Sequence, residues 1–179
     1  MQDTNALLRD GLLAVLLLVA LVIDVRTLRV PNRLSFGGAI AGLLASLLPA
    51  HGLPGFGQAL AGLATGLVLM LPLYATRVVG AGDAKLAAVC GAFLGAPQVV
   101  VALVFSFIAA GLLALGFAAW RGVLRKLLVN VRGLVQANAS ALVAGGGLDL
   151  RVHDSAGTFP FASALCVGTL TLLALVHLV

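Results

Sequence analysis

The sequence predicts an all-α polytopic membrane protein: one membrane-embedded domain, a bundle of six transmembrane helices with a cytoplasmic interfacial helix and loop. Three observations predict it. Hydrophobic residues make up 61% of the 179 positions and charged residues only 9%. A soluble domain is roughly half apolar and about a quarter charged, and a globule of this size has nowhere to hide so much apolar surface, so lipid is the main solvent. The few charges fall in clusters that separate uncharged runs of bilayer length. Lys and Arg gather in alternate loops.

The elements follow in order. Gly11–Ile23 is uncharged and, extended by Ala6–Asp10, makes a first span at 6–23. Asp24-Val25-Arg26 follows at once, with no A-x-A-like small-residue site before it, so the segment reads as a retained span rather than a cleaved signal. Leu34–Thr76 is uncharged for 43 residues. A helix crosses the hydrocarbon in about 20, so the run holds two spans, 34–49 and 56–75. They are separated by the turn cluster Pro49-Ala50-His51-Gly52-Leu53-Pro54-Gly55. Leu86–Trp120 is uncharged for 35 residues and is punctuated by Gly95-Ala96-Pro97-Gln98. That gives a short fourth span, 84–95, and a full-length fifth, 98–120. A cytoplasmic loop covers 121–158. Within it, Gly133–Leu148 is uncharged but short and carries Gln136, Asn138 and Gly145-Gly146-Gly147, which fits an interfacial helix and a glycine loop. Arg121, Arg125, Lys126 and Arg132 recur near helical spacing, suited to anionic lipid. The last span, 159–178, begins near Pro160, a residue that tolerates the first turn of a helix. Gly38-x-x-x-Gly42, Gly62-x-x-x-Gly66 and Gly91-x-x-x-Gly95 place small residues one turn apart, which lets helices approach closely.

Orientation follows from the cations. Ten of the 11 Lys and Arg residues lie in loops that six spans place on one side, and only Arg9 lies on the other. The positive-inside rule makes the rich side cytoplasmic. The expected protein is multi-pass with both termini outside, meaning the periplasm if the cell is a Gram-negative bacterium. The formal charge of +5 and pI near 10.3 are explained by this orientation, and no nucleic-acid partner is expected. The cysteines, Cys90 and Cys166, form no C-x-x-C, and His51, His153 and His177 form no metal pattern. Neither a metal nor a cofactor is expected, and oligomeric state has no signature.

Six aspartates and no glutamate supply all the carboxylates. Asp24 ends the first span and Asp83 opens the fourth, so the topology brings both to the cytoplasmic leaflet. An ionisable residue at the membrane edge is expensive and a functional candidate by default. Two facing carboxylates cannot easily both ionise and can share one proton. Aspartic proteolysis needs that state: one carboxylate takes a proton from water while its protonated partner polarises the scissile carbonyl. Gly80 and Gly82 clear side chains from beside Asp83, so a substrate backbone can approach. The residues alone also allow a plainer account. Asp24 can pair with Arg26 or Arg29 as a solvated loop charge, and Asp83 can cap the fourth helix. Lys85 is either a tuning or substrate-holding cation or a snorkelling anchor. Asp149 and Asp154 share the same side, in a glycine-rich setting that suggests a loop.

Two motifs carry a resemblance. Gly80-Ala81-Gly82-Asp83, continued by Ala84-Lys85-Leu86, resembles the G-x-G-D signature of type IV prepilin peptidases. Asp24, followed through a basic loop by Val30-Pro31-Asn32, resembles that family's other aspartate motif. The order and placement match, and Phe159-Pro160-Phe161-Ala162 is similar to the family's stretch before the last span. The resemblance implies that Asp24 and Asp83 are catalytic; Gly80, Gly82, Lys85, Pro31 and Asn32 are expected to support them or the substrate, with Pro31 and Asn32 shaping the turn into the second span. It implies removal of a basic leader from a prepilin or pseudopilin precursor at the cytoplasmic face. Larger members carry an insert with paired C-x-x-C motifs and methylate the new N-terminus. This chain lacks that insert and resembles the peptidase-only form serving Flp-type tight-adherence pili. Two rival readings remain: a small proton- or cation-coupled transporter with Asp24 and Asp83 as ligands, or a non-enzymatic assembly subunit of a pilus or secretion machine. A serine-type intramembrane protease is disfavoured, because Ser35, Ser46, Ser106 and Ser163 have no His in a suitable frame.

Overall fold

The computed structural model describes residues 4–27, 31–47, 52–76, 78–122, 124–143 and 161–178. Among these, all regular structure is helical. The helices are α1 (Thr4–Thr27), α2 (Asn32–Ser46), α3 (Gly52–Ala75), α4 (Ala81–Leu94), α5 (Ala96–Trp120), α6 (Leu124–Val143) and α7 (Phe161–Leu178). Four of them are long and apolar enough to cross a membrane: α1, α3, α5 and α7. The other two expected spans are shorter. At 15 and 14 residues, α2 and α4 reach only about 22 and 21 Å at 1.5 Å per residue, against a hydrocarbon core of about 30 Å.

α4 explains why a short helix is placed here. Residues 86–94 are all buried, and α4 touches α1, α2, α3, α5 and α7. It is the axis of the bundle, walled from lipid by its neighbours. Its sequence is thin, with Ala84, Ala87, Ala88, Gly91 and Ala92 letting the surrounding helices close in. The tightest contact is with α3. A Cβ on Gly62 would collide with the carbonyl of Gly91, and one on Gly91 with the carbonyl of Gly62; Gly66 lies against Ala87 in the same way. Gly38 and Gly42 of α2 meet Val89, Ala92 and Phe93 of α4, and Leu16 of α1. Lipid is as apolar as leucine, so this close packing, rather than expulsion from water, holds such helices together. The small-residue repeats are thus packing surfaces. Outward, Leu12, Val15, Leu18, Val19 and Val22 of α1 are exposed, as a lipid-facing stripe is.

The helix ends differ from the sequence reading in several places; α2 ends at Ser46 and α3 begins at Gly52, so Gly52-Leu53-Pro54-Gly55 opens α3 instead of serving as a turn. α1 continues through Asp24 to Thr27, one turn past the expected end, because the Asp24 carboxylate finds a partner inside the protein and no longer forces the chain into water. α6 begins at Leu124, well before Gly133, and is a single helix carrying Arg125 and Arg132; among the described helices it packs only on α5. α4 ends where Gly95 takes φ +85° and ψ 170°, a conformation essentially reserved for glycine, before Pro97 in the first turn of α5. The break expected at Gly95-Ala96-Pro97-Gln98 is therefore a glycine hinge. His51, His153, Asp149, Asp154, Arg151 and Pro160 lie outside the described residues.

Candidate active site

Five elements meet at one end of the bundle. Pro72 lies in the last turns of α3, and beyond it the Val78 and Val79 N–H groups both donate to the Leu73 carbonyl, at 2.9 and 3.3 Å. This fold-back turns the chain sharply and delivers Gly80 as the N-cap of α4, with its backbone extended (φ −74°, ψ 154°). Asp83 is then the third residue of the helix and not its N-cap residue, although it keeps a capping contact. Its carboxylate reaches back to accept the Gly80 N–H, the acceptor half of a capping box. Gly80 leaves room for this: a Cβ there would stand 3.2 Å from Asp83 Oδ2.

Asp24 comes from the last turns of α1 and is only 4% exposed. That excludes the solvated loop charge. Its Oδ2 accepts the backbone N–H of Ala162 at 3.3 Å. Ala162 is in the first turn of α7, where N–H groups lack partners within the helix and the helix dipole is positive. Phe161 beside it packs on Phe107 of α5, ring centroids 5.6 Å apart, which anchors the start of α7. Ala162 was not singled out from the sequence. A backbone donor has no residue signature, and the trace was the Phe159-Pro160-Phe161-Ala162 stretch, read as the entry to the last span and not as part of the site.

Asp24, 59 positions away in sequence, lies near enough for its charge to act on Asp83. Burial pushes the Asp83 carboxyl up, the neighbouring Asp24 charge pushes it further, and the Gly80 hydrogen bond opposes both, leaving it at about 6. Asp83 stands just ahead of the apolar segment 84–95, at the mouth of the bundle. An acid placed so can hold a proton near neutrality while a second carboxylate beside it is ionised.

The supporting residues are also brought together. Pro31 is the N-cap of α2, so Asn32 opens that helix. Lys85 Nζ donates to Asn32 Oδ1 at 2.7 Å and lies 5.7 Å from the centre of the Phe36 ring. Lys85 is therefore a tether between α4 and α2 rather than a free snorkelling anchor. Gly82 is half-buried in the first turn of α4. No cluster of three or more His, Cys, Asp or Glu side chains among the described residues is arranged to hold a metal.

The comparisons agree with the motif resemblance. No match is found among curated proteins or among solved structures. A sequence model of the type IV leader peptidase family matches residues 11–115, which include Asp24, Pro31, Asn32, Gly80, Gly82, Asp83 and Lys85. With more than half of its length matched, this membrane protease belongs to the type IV leader peptidase family.

Proposed function

We propose that the protein is an aspartic endopeptidase that removes the basic leader from Flp-like type IV prepilin or pseudopilin precursors. It would act at the cytoplasmic face of a bacterial inner membrane and add no methyl group. The observation that carries this reading is a buried Asp24, held by the Ala162 N–H, at the same end of the bundle as Asp83 and near enough to raise its carboxyl, within a leader-peptidase chain. Family membership also favours it over the transporter and the assembly subunit.

The geometry supports distinct roles. Asp24, fixed by an α7 N-terminal N–H, is the ionised base. Asp83, buried beside that charge, carries the shared proton. A water between them gives a proton to Asp24 and adds to the scissile carbonyl carbon, while Asp83 protonates the carbonyl oxygen. The tetrahedral intermediate collapses when Asp24 passes its proton to the leaving amine and Asp83 recovers its own from the hydroxyl. Both carboxyls end as they began, and no metal is needed. A basic leader stays in the cytoplasm while the precursor's apolar segment sits in lipid, so the scissile bond reaches the mouth of α4. Six spans, with α4 enclosed by the others and α2 presenting Phe36, Ile40 and Leu44 outward, would allow that placement.

The test uses purified protein and a synthetic precursor with a basic leader and an apolar segment. Mass spectrometry should find a new N-terminus at the leader boundary, unmethylated even with S-adenosylmethionine present. Intact precursor after prolonged incubation contradicts the peptidase reading, and a methylated product contradicts the peptidase-only form.

A further inference from the structure

The other end of the bundle holds a second polar cluster. α1 and α7 run antiparallel, tied near the aspartates by Asp24 and Ala162 and at the far end by His177 Nε2 and Asp10 Oδ2, 3.1 Å apart. The two ties are about 21 Å apart along α1, at 1.5 Å per residue. Beside the far tie lies a cavity of about 190 Å³. Its walls come from α1, α4 and α7 and from Gln98 of α5. Phe93, Leu172 and Val176 make it apolar, and Arg9 supplies a guanidinium. Arg9 is half-buried, and its Nε is buried without a hydrogen-bond partner among the described residues. Asp10 lines the same cavity and attracts the Arg9 charge, while its Oδ2 lies 3.1 Å from His177 Nε2.

A buried N–H donor left unmet is costly, and neither acceptor in the lining, the Asp10 carboxylate or the Gln98 side chain, meets Arg9 Nε. The planar guanidinium fork suits phosphate oxygens, and the apolar walls suit hydrocarbon. Free phosphate satisfies only the first demand and an uncharged lipid only the second. We propose that this cavity is a lipid site, in which Arg9 binds the phosphodiester of a membrane phospholipid whose acyl chains leave along Leu172 and Val176. The volume takes the phosphate region and not the whole lipid. The helices it would join, α1, α4 and α7, carry Asp24, Asp83 and Ala162 at their opposite ends. A bound phospholipid therefore ties α1, α4 and α7 together at the end of the bundle away from the candidate active site.

The test takes full-length protein, stripped of lipid in detergent, and adds phosphatidylglycerol, inorganic phosphate or diacylglycerol in turn. Native mass spectrometry should show one retained phosphatidylglycerol, and the melting temperature should rise with it. Arg9→Gln removes the donor, and Ala6→Phe fills the cavity while leaving Arg9 in place. Both should lose the retained lipid at least severalfold and lose the thermal shift, while still cleaving precursor, which reports that they are folded. Wild-type lipid retention in Arg9→Gln overturns the proposal. So does retention in Ala6→Phe, which would leave charge without a cavity. A thermal shift from inorganic phosphate equal to that from the lipid overturns the phospholipid assignment, and an equal shift from diacylglycerol overturns the role of Arg9.

Discussion

Gly80 has an extended backbone that any residue adopts, so its φ angle gives no reason for glycine there. The reason is the 3.2 Å separation from Asp83 Oδ2 that a Cβ would have. Gly80→Ala should therefore fold normally yet displace the carboxylate by a few tenths of an ångström. Cleavage should drop about tenfold, given that misplacement by about 1 Å can cost about 100-fold. A kinetic assay beside a melting curve checks this; unchanged kcat/KM would remove the steric argument. The raised Asp83 carboxyl sets a second expectation. The proton is present below about 6 and lost above it, and the bilayer and bound substrate desolvate the group further. The rate should thus fall on the alkaline side, in a limb at or above pH 6. A rate that climbs steadily from pH 6 to 9 contradicts Asp83 as the acid. At this scale the sequence exposed the side chains well, because Asp24 and Asp83 sit in motifs with glycine and proline neighbours. Ala162 stayed hidden: it contributes a backbone N–H from 138 residues away, and no side chain marks that.

Between elements, the decisive contact is α3 on α4. Gly62 and Gly91 bring two backbones to a separation that admits no Cβ on either side. Gly62→Leu should force the helices apart, with a loss of about 1–3 kcal/mol as in other overpacked cores. It should reduce cleavage as well, since α4 carries Asp83. Thermal unfolding in detergent measures the first, and an unaltered melting temperature would show that the contact is not needed. Lys85 and Asn32 tie α4 to α2 more lightly. A double-mutant cycle with Lys85→Met and Asn32→Ala should give a coupling of about 1 kcal/mol, as for a partly exposed charged hydrogen bond; strict additivity would mean the two act apart. The glycine repeats and the Gly95 break were legible because small residues at one-turn spacing have a single steric meaning. Helix ends were less so. α1 runs past Asp24 only because α7 meets the carboxylate, and α4 is short only because five helices enclose it; both depend on neighbours distant in sequence.

For the whole molecule, the cation count predicts that the end carrying Asp24 and Asp83 is cytoplasmic. Single cysteines at Thr27 and Thr76 should label from the cytoplasmic side and one at Pro54 from the other. The native Cys90 and Cys166 are buried and should stay silent. Labelling in the reverse sense would invert the topology. Composition made the membrane class evident, since lipid alone can solvate this much apolar surface. The bundle's arrangement around α4 was not evident, because hydropathy records apolarity and not which apolar helix is central. The central claim is that Asp24 and Asp83 form one acid–base pair, and the most direct measurement is precursor cleavage by Asp24→Asn and Asp83→Asn in membranes. Asn is nearly isosteric but transfers no proton as a carboxyl group does. Each variant should retain the wild-type level of folded protein and lose cleavage by at least about 100-fold, the lower end of what a positioned acid or base contributes. Asp149→Asn and Asp154→Asn should remain active. Near wild-type processing by either Asp24→Asn or Asp83→Asn would contradict the two-aspartate mechanism.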